Sequence, residues 1–124
     1  NPRSGMYRCA VSLSPTDIEL AAALHMDYDP SPTRIPTLLL ASSAGDVIQL
    51  DGLQQLYEAL DAPKTMARRT SVGHGQMLYT ADGYVTAWFL WHLQGDEAAA
   101  GAFTGGAPEL LANERYQDQE IDGL

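Results

Sequence analysis

One cysteine, few cations and no long apolar run set the first limits on this chain. The single cysteine, Cys9, leaves no internal disulfide framework and no cysteine zinc site. It sits in an apolar run and reads as a small core residue rather than a nucleophile. A lone cysteine suits reducing and oxidising compartments alike. Lys and Arg number seven against sixteen Asp and Glu, a net charge of −9. Such a surface repels phosphate backbones, so nucleic acid is not an expected partner. The longest apolar stretches, 38–41 and 87–91, fall well short of the roughly 18 residues of a spanning helix, so no membrane span is expected. Asn1-Pro2-Arg3-Ser4-Gly5 has no apolar signal segment and does not begin with methionine. The expectation is of a chain separated from a longer precursor, and compartment is not fixed by these features.

What is present is ordinary globular composition: 124 residues, 45% hydrophobic and 8% aromatic, one domain's worth or less. There is no internal repeat. Short apolar runs alternate with helical periods. Residues 7–13 read as a strand, and Ser14-Pro15-Thr16-Asp17 follows with helix-starting chemistry. Residues 18–24 are rich in Ala and Leu and fit a short helix. Three prolines in 27–36 mark a loop. Thr37-Leu38-Leu39-Leu40-Ala41 is apolar on both faces, as a buried parallel strand requires. Leu53, Leu56, Tyr57 and Leu60 share one side of a helix over 51–61, which Pro63 ends. A third strand is expected over 64–71, less apolar because of Arg68 and Arg69. A tight loop at Gly73-His74-Gly75 follows.

Residues 82–94 read as a mostly buried helix, since apolar residues occur nearly all round it. Gly95 stops it, and Asp96 caps a short helix reaching about Phe103. The tail, 104–124, reads as polar and irregular, with Leu110, Leu111 and Tyr116 able to dock. Strands linked by helical crossovers imply a parallel sheet with helices on both faces. Three strands make a small sheet with an open flank, which invites pairing.

Open parallel sheets place their sites at the carboxyl ends of strands. Asp46 follows the second strand and His74 the third, so both side chains can meet above one rim. An imidazole takes a proton from a nucleophile while a buried carboxylate fixes its tautomer and stabilises the imidazolium. Against that stands a plainer role for each: Asp46 capping the next helix, His74 bonding a carbonyl.

Ile35-Pro36-Thr37-Leu38-Leu39-Leu40-Ala41, then Gly45-Asp46-Val47-Ile48, then Gly73-His74-Gly75, resembles the last third of α/β-hydrolases. The nearest likeness is to dienelactone-hydrolase-like and polyester-hydrolase-like carboxylesterases. Val85-Thr86-Ala87-Trp88-Phe89 with His92-Leu93, then Gly95-Asp96-Glu97, resembles that group's closing helix and turn. The resemblance implies a three-layer α/β-hydrolase-type parallel sheet, represented by its last three strands. Residues 1–124 would then be the C-terminal part of one such domain. It implies a serine hydrolase acting on carboxylic esters through an acyl-enzyme, with Asp46 as acid and His74 as base. It calls for no cofactor and no metal.

The family's G-x-S-x-G nucleophile motif is missing. Ser4 precedes the first strand. Ser12 and Ser14 flank Leu13 without glycines. Ser43, in Ala41-Ser42-Ser43-Ala44-Gly45, is the one candidate, and it is disfavoured. Asp46 lies only three residues on, and the oxyanion hole needs an earlier strand loop. The chain alone is therefore expected to be inactive. An upstream half, or a complementary chain, would supply the serine and oxyanion hole, and an ester would be the small-molecule partner. The alternative is a non-catalytic α/β binding or assembly module with a vestigial Asp46/His74 pair, using its open sheet edge.

The remaining candidates have plain readings. Gln76 is a candidate pocket residue. His92 reads as a core or interface histidine. His25 with Asp27 and Asp29 looks like a faint metal cluster in a solvated loop. Trp88 and Trp91 read as core rather than as a substrate platform.

Overall fold

The computed structural model describes residues 6–16, 18–24, 29–46 and 48–124. The chain forms an α/β fold around one four-stranded mixed sheet. In chain order its elements are β1 (Ala10–Leu13), α1 (Ile18–Ala23), β2 (Thr37–Ser42), α2 (Leu50–Ala59) and β3 (Lys64–Arg69). A 3-10 turn (His74–Gln76) then leads into α3 (Met77–Thr80) and α4 (Asp82–Gln94). Last come α5 (Glu97–Ala100), α6 (Glu109–Ala112) and β4 (Tyr116–Asp122). Among the described residues no helix is long and apolar enough to cross a membrane.

The strands lie in the order β1-β2-β3-β4. The first three are parallel and β4 runs antiparallel to β3. Successive steps in one direction put both crossover helices on the same face, because such crossovers share one hand. Ile18 of α1 and Leu53, Leu56 and Tyr57 of α2 accordingly pack with Leu39, Ala41 and Met66. The opposite sheet face, Leu38, Leu40 and Ala67, is covered by α3, α4 and the segment carrying Phe103 and Leu110. All six residues of β2 are buried, as two-sided cover demands.

The tail departs from expectation. Far from irregular, residues 116–122 complete the sheet, so the expected three-stranded parallel sheet is corrected to a mixed one. The reason this strand escapes a period-two reading is a bulge. Gln117 pairs with Arg68 and Glu120 with Met66, so Asp118 and Gln119 together oppose Ala67. Asp118 adopts φ 58°, the left-handed conformation that such a bulge uses. Tyr116 and Ile121 are five apart, yet the extra residue puts both on the α4 side of the sheet, opposite Arg69 and Thr65. The Asp118 carboxylate also holds the Arg68 guanidinium at 3.2 Å. Replacement by Ala loses both the ion pair and the tolerance for positive φ. A loss of about 1–2 kcal/mol is expected on urea unfolding, with Asp118→Gly recovering part of it. Equal losses for the two variants would leave the backbone conformation without a cost.

Helix α4 also departs from expectation. Only Tyr84 and Trp88 are buried within it, and Phe89 and Leu93 are exposed. It is apolar all round but docks by one stripe. Its end follows the sequence: Gly95 takes φ 69°, and the Asp96 side chain caps α5 by accepting from the Ala99 N–H at 3.0 Å.

Candidate active site at the carboxyl rim

Three loops leave the sheet at the carboxyl ends of β1, β2 and β3, and they meet around one carboxylate. Asp46 lies in the turn after β2, where Gly45 (φ 74°) provides the left-handed residue that reverses the chain. Its side chain is 1% exposed. A bare buried carboxylate would be costly, so its partners decide whether it stays charged. Oδ2 accepts the Ser42 N–H at 2.8 Å and the Ser14 hydroxyl at 2.8 Å. Oδ1 lies 2.8 Å from His74 Nδ1. Burial is the largest influence on its pKa and acts upward. The hydrogen bonds from the Ser42 N–H, His74 and Ser14 together outweigh it and hold the pKa down at about 2.

That depression links to stability. A carboxylate held low contributes above its unfolded pKa and loses the contribution as pH falls through the folded value. The window runs from about pH 4 down to about pH 2, and the contribution is at most about 2.5 kcal/mol. Asp46→Asn should lack this loss, so the stability gap between wild type and variant should narrow across the window. Parallel acid unfolding curves would mean that Asp46 is not held low.

An ionised carboxylate only accepts, so Nδ1 of His74 donates to it, and in the neutral ring the lone pair is on Nε2. The His74 side chain is 49% exposed, and the half at the buried carboxylate is the Nδ1 half. Nε2 therefore faces outward. The loop that presents it is tied to itself: Gly73 N–H donates to Gln76 Oε1 at 2.9 Å, and Gln76 N–H to Gly73 C=O at 3.0 Å. Gln76, a candidate pocket residue from sequence, thus uses its side-chain oxygen to shape the histidine turn.

The structure brings Asp46 and His74 together and gives Ser43 a different place. Ser43 N–H bonds the Arg69 carbonyl at 3.0 Å, extending the β2–β3 ladder into the acid turn. Among the described residues no hydroxyl hydrogen-bonds His74. Ser14 is the residue that sequence reasoning passed over. The sequence offers it as a helix-starting turn residue and as a weak nucleophile, yet it orients the acid. Its place at the carboxyl end of β1, on the same rim as Asp46 and His74, is the signal that could have marked it.

The other candidates fall outside the rim. His25 and Asp27 lie outside the described residues, and Asp29 accepts the Ser31 N–H at 3.0 Å. Among the described residues no group of three ligating side chains could hold a metal. His92 lies against Trp88 edge-on and against Trp91 at a tilt, with ring centroids 4.3 and 4.0 Å away. Burial lowers its pKa. Trp88 is fully buried and Trp91 partly so. Cys9 packs on the α4-side core, where burial raises its thiol pKa. No family model matches the chain, and no curated protein matches it.

Proposed function

We propose that this chain carries the acid and base of a serine hydrolase of the α/β-hydrolase type, acting on carboxylic esters. The observation that carries the reading is the 2.8 Å contact between His74 Nδ1 and a buried, triply hydrogen-bonded Asp46. That contact leaves Nε2 basic and outward, which is what a general base needs. The succession strand, acid, helix, strand, base agrees with it, as do helices on both faces of the sheet.

In this reading Nε2 takes the proton of a serine hydroxyl as its oxygen attacks the ester carbonyl carbon. The tetrahedral species collapses, the carbon–alkoxide bond breaks, and His74 returns the proton to the leaving alcohol. Water then attacks the acyl-enzyme, giving its proton to His74. Collapse releases the acid as the proton passes back to the serine. Asp46 keeps its charge throughout and stabilises the imidazolium. The serine and the oxyanion donors come from outside residues 1–124. β1 is the natural seam, since it is an edge strand with every residue only partly buried.

The full-length protein should hydrolyse p-nitrophenyl butyrate and take up a fluorophosphonate at one serine, with the label located by peptide mass. Residues 1–124 alone should do neither. A full-length protein that neither turns over short esters nor takes the label would instead be the binding module with a vestigial pair. Labelling at Ser43 would restore Ser43 as nucleophile.

A further inference from the structure

A second feature lies away from Asp46 and His74. A cavity of about 340 Å³ opens between α3, α4, α6 and the adjoining ends of β3 and β4. That volume is within the range of small-molecule sites. Its deep wall includes Tyr84 and Tyr116, both buried, and its rim includes the exposed Gly83, Glu109 and Arg115. Ala87 and Ala102 add an apolar side.

The polar groups sort into spent and unspent. Tyr84 is spent: its hydroxyl donates to Glu109 Oε2 at 2.8 Å and accepts from Asn113 at 2.6 Å. Asn113 is spent as well, since its oxygen accepts the Arg115 N–H at 2.9 Å. Arg69 is half spent. Its Nη1 donates to the Thr70 and Arg115 carbonyls at 3.0 and 3.1 Å, leaving Nε and Nη2 to donate. Arg115 has no side-chain partner among the described residues. The Tyr116 hydroxyl is buried without a hydrogen-bond partner among the described residues, which is a standing cost.

Charge points the same way. In a chain of net charge −9, cations are scarce. Arg34 and Arg68 sit on Asp61 and Asp118, and Lys64 donates to the Tyr57 and Leu60 carbonyls. Arg69 and Arg115 have no carboxylate within ion-pair distance among the described residues. One carboxylate, Glu109, shares the cavity with two guanidinium groups. The space therefore has an excess positive charge, unspent donors on both arginines, the Arg69 guanidinium lying 5.7 Å over the Tyr116 ring, and flat aromatic and methyl walls.

We propose that this cavity is a binding site for a small organic carboxylate with a flat apolar body. The carboxylate takes the charge-assisted donors of Arg69 and Arg115, and the body lies against Tyr84, Tyr116 and Ala87. The site does not depend on the hydrolase reading. Its wall residue Thr80 donates its hydroxyl to the Gln76 carbonyl at 2.9 Å, a bond within one helical turn.

Titration of the protein with sodium benzoate, followed by calorimetry and by arginine side-chain NMR, tests this. Benzoate should bind saturably and benzamide, its neutral analogue, at least about tenfold more weakly. Arg115→Gln, at an exposed side chain that folding does not need, should weaken benzoate about tenfold, and Arg69→Gln at least as much. His74→Ala should leave it unchanged, which separates this site from the catalytic reading. Equal binding of benzoate and benzamide, unaltered affinity in Arg115→Gln, or no saturable binding would each overturn the proposal.

Discussion

Replacing His74 by Ala should lower kcat for ester hydrolysis by about 10⁴- to 10⁶-fold while leaving KM within a few-fold. On the proposed reading the imidazole accepts the proton, so its loss removes a step of the transition state rather than a substrate contact. Asp46→Asn should cost about 10⁴-fold for a subtler reason. An amide at position 46 can turn its NH2 toward Nδ1, which then accepts and puts the ring proton on Nε2. The base is present but in the wrong tautomer. Ser14→Ala should fall between these and wild type, at about tenfold, because Asp46 keeps its Ser42 and His74 partners. Initial rates with p-nitrophenyl butyrate, normalised to fluorophosphonate-titrated sites, give all three. His74→Ala within tenfold of wild type would sink the catalytic reading.

That ordering depends on geometry only partly legible in the sequence. Asp46 and His74 were visible because each follows a segment readable as a strand, and parallel strands deliver their loops to the same rim. The Thr37–Ser42 strand was visible because it is covered on both faces, so its apolar run is unbroken. Ser14 was not visible as a partner of Asp46, since 32 residues separate them and only sheet order joins them. The strand Tyr116–Asp122 was hidden because Asp118 puts an extra residue into it and scrambles the alternation. The exposed side of α4 was hidden for a third reason. Phe89 and Leu93 supply no polar face to show which side is turned outward. Composition says that this helix is apolar, and only packing says that Tyr84 and Trp88 are the side that docks.

Because α4 docks by so narrow a stripe, Trp88→Ala should destabilise the protein by about 3–5 kcal/mol. Trp88 is fully buried and meets Phe103, Trp91 and His92 edge-on, with centroids 4.9, 5.7 and 4.3 Å away. Val85, Ala87 and Trp91 of α4 also pack on this core but are only partly buried, so none fills the space the indole leaves. One opposing effect sets a finer test. The indole Nε1 of Trp88 is buried without a hydrogen-bond partner among the described residues, so it carries a desolvation cost in the folded state. Trp88→Phe removes that donor while keeping most of the ring, and should cost less than about 2 kcal/mol. Against a typical domain stability of about 5–15 kcal/mol, the alanine variant gives up a large share and the phenylalanine variant a small one. Urea unfolding with unchanged slope would measure both. If the two variants lose equally, Nε1 is satisfied and the stripe's stability lies in that bond rather than in packed rings.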